Sequence, residues 1–273
     1  MDTSIQRYCA QAGVPMIVLM LVGFGVFAGV LPPPSPQTSP DALAQMFSEH
    51  RNAIRIGLLI TSFGATLLAP FFAVITTQLR RIDRESPLPY AQLALAALLV
   101  IEFILPLYFL LTDAYRPERA PQELQLFHDF AWLAFVGLAS TAVMQFILIG
   151  IAILRDHRAD PIFPRWSGYF TLWASLLFAP GCLCVFFQTG PFSWRGLICW
   201  WIPLTTFGLW FVVFTWLLLK AISGQGVEPT VATTAAMDTE AVALGAQRQV
   251  DLLGAEVAAL RAELTELRST RPN

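Results

Sequence analysis

Glu102 interrupts the run LLVIEFILPLYFLL (Leu98–Leu111), four residues before Pro106. A carboxyl group set in apolar sequence of this kind has two uses. It titrates or holds a ligand in the interior of a bilayer, or it fastens helices together as a neutral hydrogen-bonding group. An ionised carboxylate there costs at least about 2.5–3.5 kcal/mol on insertion scales, and no basic residue lies at similar depth to pair with it. Desolvation therefore favours the neutral acid. Pro106 adds an acceptor, because it has no N–H for the carbonyl four residues back, which belongs to Glu102 itself. Side chains able to answer this group come from other apolar runs: Thr141 with Gln145 one helical turn later, or Thr205 and Thr206. Glu102, Pro106, Thr141 and Gln145 form the candidate intramembrane polar site. No chain of titratable groups leads away from it.

The other reactive residue types are less informative. His50 and His128 each have a carboxylate beside them, Glu49 and Asp129, but they lie on separate loops; their spacing does not demand zinc, and they read as surface histidines. Cys9, Cys182, Cys184 and Cys199 give neither a disulfide framework nor a metal pattern, since Cys182-x-Cys184 points to two faces of a helix. They read as small buried hydrophobes. No hydrolase elbow, P-loop or dinucleotide-binding glycine pattern occurs. The sequence thus offers no catalytic residue, metal ligand or cofactor site, and an enzyme acting through His50 and His128 is the weakest of its readings.

The elements that must position Glu102 are set by composition. The chain of 273 residues is 56% hydrophobic and 13% charged, against roughly 25% charged in an average soluble domain. Its apolar residues are gathered into six runs long enough for a hydrocarbon core of about 30 Å: residues 14–31, 56–77, 91–112, 130–154, 166–190 and 197–222. Runs of this length must satisfy their backbone internally, so they are helices. The expected fold is an all-α integral membrane protein, a six-span helix bundle over 1–222. A linker at 223–237, a coiled-coil helix at 238–268 and a disordered end at 269–273 follow. The first run lacks a small-residue cleavage site and is read as a retained span, not a signal peptide.

Basic residues give the orientation. Arg7, Arg80, Arg81, Arg84, Arg155, Arg158, Arg165 and Lys220 fall on one side; Arg51, Arg55, Arg116, Arg119 and Arg195 fall on the other. The bias places both termini in the cytoplasm. Arginine supplies every cation except Lys220, a usage that fits a bacterial cytoplasmic membrane. A net charge of −2 gives no basic stripe for nucleic acid.

Two features recur within the runs. Gly25-x-x-x-Gly29 and Gly57-x-x-x-Thr61 put small residues on one helix face for close packing. Pro70, Pro106, Pro180 and Pro203 each remove a helical hydrogen bond and predict four kinked helices. Between the runs, Ser39-Pro40-Asp41 reads as an N-cap, a proline at the first helical position and a first-turn acid. The helix that follows carries Leu43, Met46 and Phe47 on one face and is expected to lie on the outer membrane surface. Pro121 and Glu123 start a second such helix that leads into the fourth span.

The tail carries the most specific pattern. Ala243, Val250, Val257 and Leu264 at a, with Ala246, Leu253, Leu260 and Leu267 at d, hold a heptad over four repeats. Valine at a with leucine at d favours a parallel two-stranded coiled coil. Glu256 with Arg261, and Glu263 with Arg268, are placed for interchain ion pairs. The implied partners are the lipid bilayer and a second copy of this chain, or another coiled-coil protein. Function then divides two ways: a self-associating accessory, scaffold or assembly component, or a transporter or channel for a small or lipophilic solute using Glu102.

Overall fold

The computed structural model describes residues 3–225. Among these residues there are ten α-helices and no strand: α1 (Thr3–Gln11), α2 (Gly13–Met20), α3 (Pro40–Glu49), α4 (Arg51–Thr66), α5 (Leu68–Ile82), α6 (Leu88–Tyr115), α7 (Pro121–Gly137), α8 (Ser140–Leu154), α9 (Arg165–Phe178) and α10 (Ile202–Gly224). Two π-helical segments, Leu21–Phe27 and Leu197–Trp201, and a 3₁₀ segment, Ala179–Phe186, complete the elements. They combine into six helices long and apolar enough to cross a membrane: Thr3–Phe27, Arg51–Ile82, Leu88–Tyr115, Pro121–Leu154, Arg165–Phe186 and Leu197–Gly224. The linker from 226 onward, the coiled-coil positions from Ala243 to Leu267 with their Glu256–Arg261 and Glu263–Arg268 pairs, and the 269–273 end lie outside the described residues.

The prolines do not all act as expected. Of the four, only Pro106 lies inside a continuous α-helix. Pro70 and Pro203 sit in the first turn of α5 and α10, and Pro180 in the first turn of the 3₁₀ segment. A missing N–H there falls on a donor that has no partner within the helix anyway. These prolines mark joints between helical segments rather than bends inside one. The first span also ends early, at Phe27 rather than residue 31, because Gly29 turns the chain at φ 63° and the Val30 N–H bonds back to the Phe24 carbonyl (3.0 Å).

Close packing of the first two spans uses Gly57 and Thr61 of the second, as expected, but different small residues of the first. A Cβ on Gly57 would collide with Ala28 N and the Gly23 carbonyl, and one on Gly23 with Thr61 and the Gly57 carbonyl. The contact is therefore Gly23 and Ala28 against Gly57 and Thr61. Gly25 meets only Leu31, at an ordinary 3.5 Å, and Gly29 meets nothing.

The helix after Ser39 is also repositioned. Ser39 caps α3 by accepting from the Ala42 N–H (3.3 Å), as its sequence implied. Its Leu43 and Phe47 face is fully buried in the bundle, however, so α3 closes one end instead of lying free on a surface. At that same end the last carbonyls of α6 are taken up by arginine. Arg55 and Arg51 donate to Ala114 and Tyr115 (2.8–3.0 Å), and Arg119 to Thr112 (3.0 Å). Cations here satisfy orphan acceptors and complement the negative end of the helix dipole.

The core has two halves. Beneath the α3 end, Phe24, Phe47, Trp132, Trp194 and Trp200 pack together. Towards the opposite end Phe71, Phe72, Phe146, Trp210, Phe211 and Phe214 form an aromatic block, with the Trp210 indole donating to Thr171 (3.2 Å). Buried amides thread the same half. Gln78 donates to Gln6 (2.7 Å), Gln92 donates to Thr76, and Gln145 donates to Gln92 (3.4 Å). In the loop after α8, Asp156 is buried and bonded by the Arg158 guanidinium and the Ile162 N–H (2.9 Å each). Burial alone would raise its pKa; these bonds outweigh burial and hold it below the ordinary carboxylate value.

Candidate functional site

Glu102 faces the gap between α7 and α8. Leu138 and Ala139 break the fourth span there, which puts Thr141 in the first turn of α8. The Thr141 hydroxyl donates to the Glu102 carboxyl. Pro106, one turn further along α6, is buried and leaves the Glu102 carbonyl without its helical donor. The structure thus brings together three of the four residues proposed from sequence.

Gln145 does not join them. It lies a turn deeper along α8 and reaches Gln92 instead, ten residues before Glu102 on α6. Thr205 turns back on its own helix, donating to the Trp201 carbonyl (2.8 Å). Of the expected partners, Thr141 bonds Glu102, while Gln145 and Thr205 are engaged elsewhere.

Beside Glu102 lies a cavity of about 150 Å³. Its lining mixes aliphatic side chains with rings, of which Phe24, Phe103, Phe135, Trp200 and Phe207 lie at centroid separations of 5.1 Å (Phe103–Phe135), 5.4 Å (Phe103–Phe207), 5.7 Å (Phe24–Phe135) and 6.0 Å (Phe135–Trp200). Around it the backbone repeatedly leaves the α-helix. Phe24 comes from the first π segment, Ala139 from the joint in the fourth span, Gly181 from the 3₁₀ segment, and Cys199 and Trp200 from the second π segment. Irregular backbone at membrane depth is tolerated where it is buried in protein or lines a cavity. Gly181 permits the close approach of two of these walls, since a Cβ there would lie 3.0 Å from the Val136 carbonyl.

Two polar side chains interrupt the apolar wall. One is Glu102. The other is Trp200, 6% exposed, whose indole N–H has no hydrogen-bond partner. Cys199, also in the wall, has its thiol against the Pro180 and Phe192 carbonyls (3.2 Å each). Sequence reasoning missed Trp200 and the ring collar. A polar residue in an apolar run stands out, but one aromatic among many carries no signal of which way it faces.

The histidines divide. His50 is exposed. His128, expected at the surface, is 1% exposed: its Nε2 accepts from the Trp132 indole (3.0 Å) and its ring packs against Phe47 and Trp194. The four-residue spacing of His128 and Trp132 on α7, one helical turn, was the available signal. Asp113 lies in the last turns of α6 with no exposure and neither oxygen hydrogen-bonded; Arg119 is the opposite charge acting on it. Among the described residues no three His, Cys, Asp or Glu side chains cluster to hold a metal ion.

No family model, curated protein or solved structure matches this chain.

Proposed function

We propose that this protein is a multi-pass protein of a bacterial cytoplasmic membrane, both termini cytoplasmic, that binds a small lipophilic molecule in the cavity beside Glu102. The cavity carries the proposal. A path for a hydrated ion or sugar needs polar groups along its walls, whereas this half-open space is walled by aliphatic side chains and rings, with the Glu102 carboxyl the one ionisable group among them apart from the Cys199 thiol. Apolar cavities of this size stay dry and take apolar guests. Six apolar helices support the membrane placement, and the distribution of arginines supports the orientation.

The test is purification in a gentle detergent followed by mass spectrometry of bound small molecules, in parallel with Ala142→Phe. Ala142 lines the cavity on α8, and a phenyl ring there fills it. We expect a lipophile to accompany the unsubstituted protein and to be lost, by at least tenfold, from a variant with the same elution profile. Equal retention by both would remove the cavity as the binding site.

The tail supports a second, compatible role as a self-associating accessory or scaffold. Its a and d positions and its Glu256–Arg261 and Glu263–Arg268 pairs are those of a parallel dimer. Such ion pairs set partner choice more than stability, each contributing about 0–1 kcal/mol. In a background lacking the native cysteines, Leu253→Cys should give a disulfide-linked dimer on mild oxidation in membranes. Persistent monomer would exclude the parallel dimer.

A further inference from the structure

We infer that the molecule taken into the cavity is a lipophilic organic cation, an apolar body carrying one positive charge, and that it enters in exchange for the proton of Glu102. This rests on the cavity reading above and specifies its ligand. The carboxylic acid gives its proton to the solvent through the open side of the cavity, and the carboxylate left behind pairs with the arriving cation. The site stays neutral before and after.

The charge on the guest follows from what surrounds the carboxyl. Glu102 is half-buried and lines the cavity. One of its oxygens accepts from the Thr141 hydroxyl; the other makes no hydrogen bond among the described residues. Thr141 stands in the first turn of α8, and Ala139 and Ala142 of the same helix start line the cavity with Glu102. The carboxyl therefore lies at the positive end of a helix dipole, which favours its anion. What is missing is a counter-charge. Among the described residues lining the cavity there is no arginine, lysine or histidine, and the Cys199 thiol is the one other ionisable group. The ionisable groups of the helices packed against α6 stand towards its ends. Arg51 and Arg55 of α4 bond at Ala114 and Tyr115, and Arg80 of α5 covers Tyr90, each about 18–20 Å along the axis from Glu102. Arg81 of α5 reaches Ala221, and Glu123, His128 and Asp129 of α7 lie well before Phe135. α8 and the π segment of the first span contain no ionisable group.

Other guests answer this wall less well. With no cation at hand, the empty site holds Glu102 as the acid. A fatty-acid anion would meet the carboxyl with nothing positive to join. A hydrocarbon would leave the acid O–H without an acceptor, and a buried donor without a partner weakens binding. A bare metal cation wants several oxygen ligands, about six to eight for calcium, whereas this wall supplies one carboxyl with the Thr141 hydroxyl beside it. A cation that carries its own apolar shell, such as a tertiary amine or a quaternary ammonium, needs only the carboxylate for its charge. The aliphatic and aromatic wall takes the rest.

The experiment is calorimetric titration of the full chain in mild detergent with benzyltrimethylammonium, and with neopentylbenzene, which has the same shape with carbon in place of nitrogen. The quaternary cation has no acidic proton, so any proton exchanged comes from the protein. In the pH range where the empty site holds Glu102 as the acid, we expect one proton released per cation bound, read from the dependence of the heat on the buffer. Raising the pH removes the competing proton, so affinity should rise there about tenfold per pH unit and level off once Glu102 is ionised. Glu102→Gln, similar in shape but unable to ionise, should weaken cation binding at least tenfold, abolish the pH dependence and leave neopentylbenzene unchanged. Cys199→Ser should retain the proton release. Cation binding no tighter than that of neopentylbenzene, cation binding by Glu102→Gln equal to the parent's, or no proton release at any pH from about 5 to 9 would overturn the inference while leaving a lipophile site in place. Binding of neither probe, or of both by Ala142→Phe as by the parent, would remove the cavity reading with it.

Discussion

Gly57→Leu should leave little folded protein. A Cβ at this position meets backbone on two sides, the Ala28 nitrogen and the Gly23 carbonyl. Overpacking typically costs about 1–3 kcal/mol where neighbouring side chains can move aside. Here the neighbours are main chain of the adjoining π-helical segment, and the longer leucine side chain has no rotamer that avoids them. The first span must therefore separate from the second, exposing Thr61 and the Gly23 carbonyl within the contact they now fill. We expect a loss above about 3 kcal/mol, large against a total stability of about 5–15 kcal/mol, seen as aggregation on size exclusion and no cooperative melting transition. Gly25→Ala is the matched control: its added carbon meets Leu31 at 3.5 Å, so the melting temperature should stay close to that of the parent. If Gly25→Ala were the damaging change and Gly57→Leu the silent one, the contact between these spans would have been wrongly placed.

The second large effect is expected at Trp210. Its ring is fully buried and lies 4.0 Å from Phe214, 4.3 Å from Phe146, 5.1 Å from Phe211 and about 6 Å from Phe71 and Phe72. It thereby joins α10 to the second and fourth spans. Trp210→Ala removes the transfer free energy of the indole and leaves a void that the stiff surrounding rings cannot close, costing about 3–5 kcal/mol. The lost bond to Thr171 adds little, because the Thr171 hydroxyl keeps the Ser167 carbonyl (2.8 Å). Trp210→Phe should recover more than half of the loss. A thermal midpoint unchanged by Trp210→Ala would mean that α10 is held by something other than this block.

The bundle was legible because apolar runs of this length leave the backbone a single way to satisfy itself. Glu102 and Thr141 were legible for a related reason: a polar side chain in such a run is conspicuous. What joins them was less so. Gln145 looked like an equal partner because its distance from Glu102 depends on the register between α6 and α8, which spacing within one helix does not contain. The prolines gave the same local signal whether they lie inside a continuous helix, as Pro106 does, or begin a new segment, as Pro70 and Pro203 do. His128 looked exposed because the polar start of α7 hid the face on which it is buried under α3 and Trp194. The cavity wall was illegible altogether. With 21 phenylalanines in the chain, a ring facing lipid and a ring facing a cavity read alike.

The third candidate span differs from the other five in one respect: it has no joint. α6 runs 28 residues without leaving the α-helix, about 42 Å at 1.5 Å per residue. The first, second, fourth, fifth and sixth change helical type or break along their length. In mechanical terms α6 is a mast and the others are jointed booms. Four of those articulations border the cavity: the two π segments, the 3₁₀ segment and the break at Leu138–Ala139. The shape of the cavity is thus set by angles at the joints, while Glu102 stands on the one span that stays α-helical throughout.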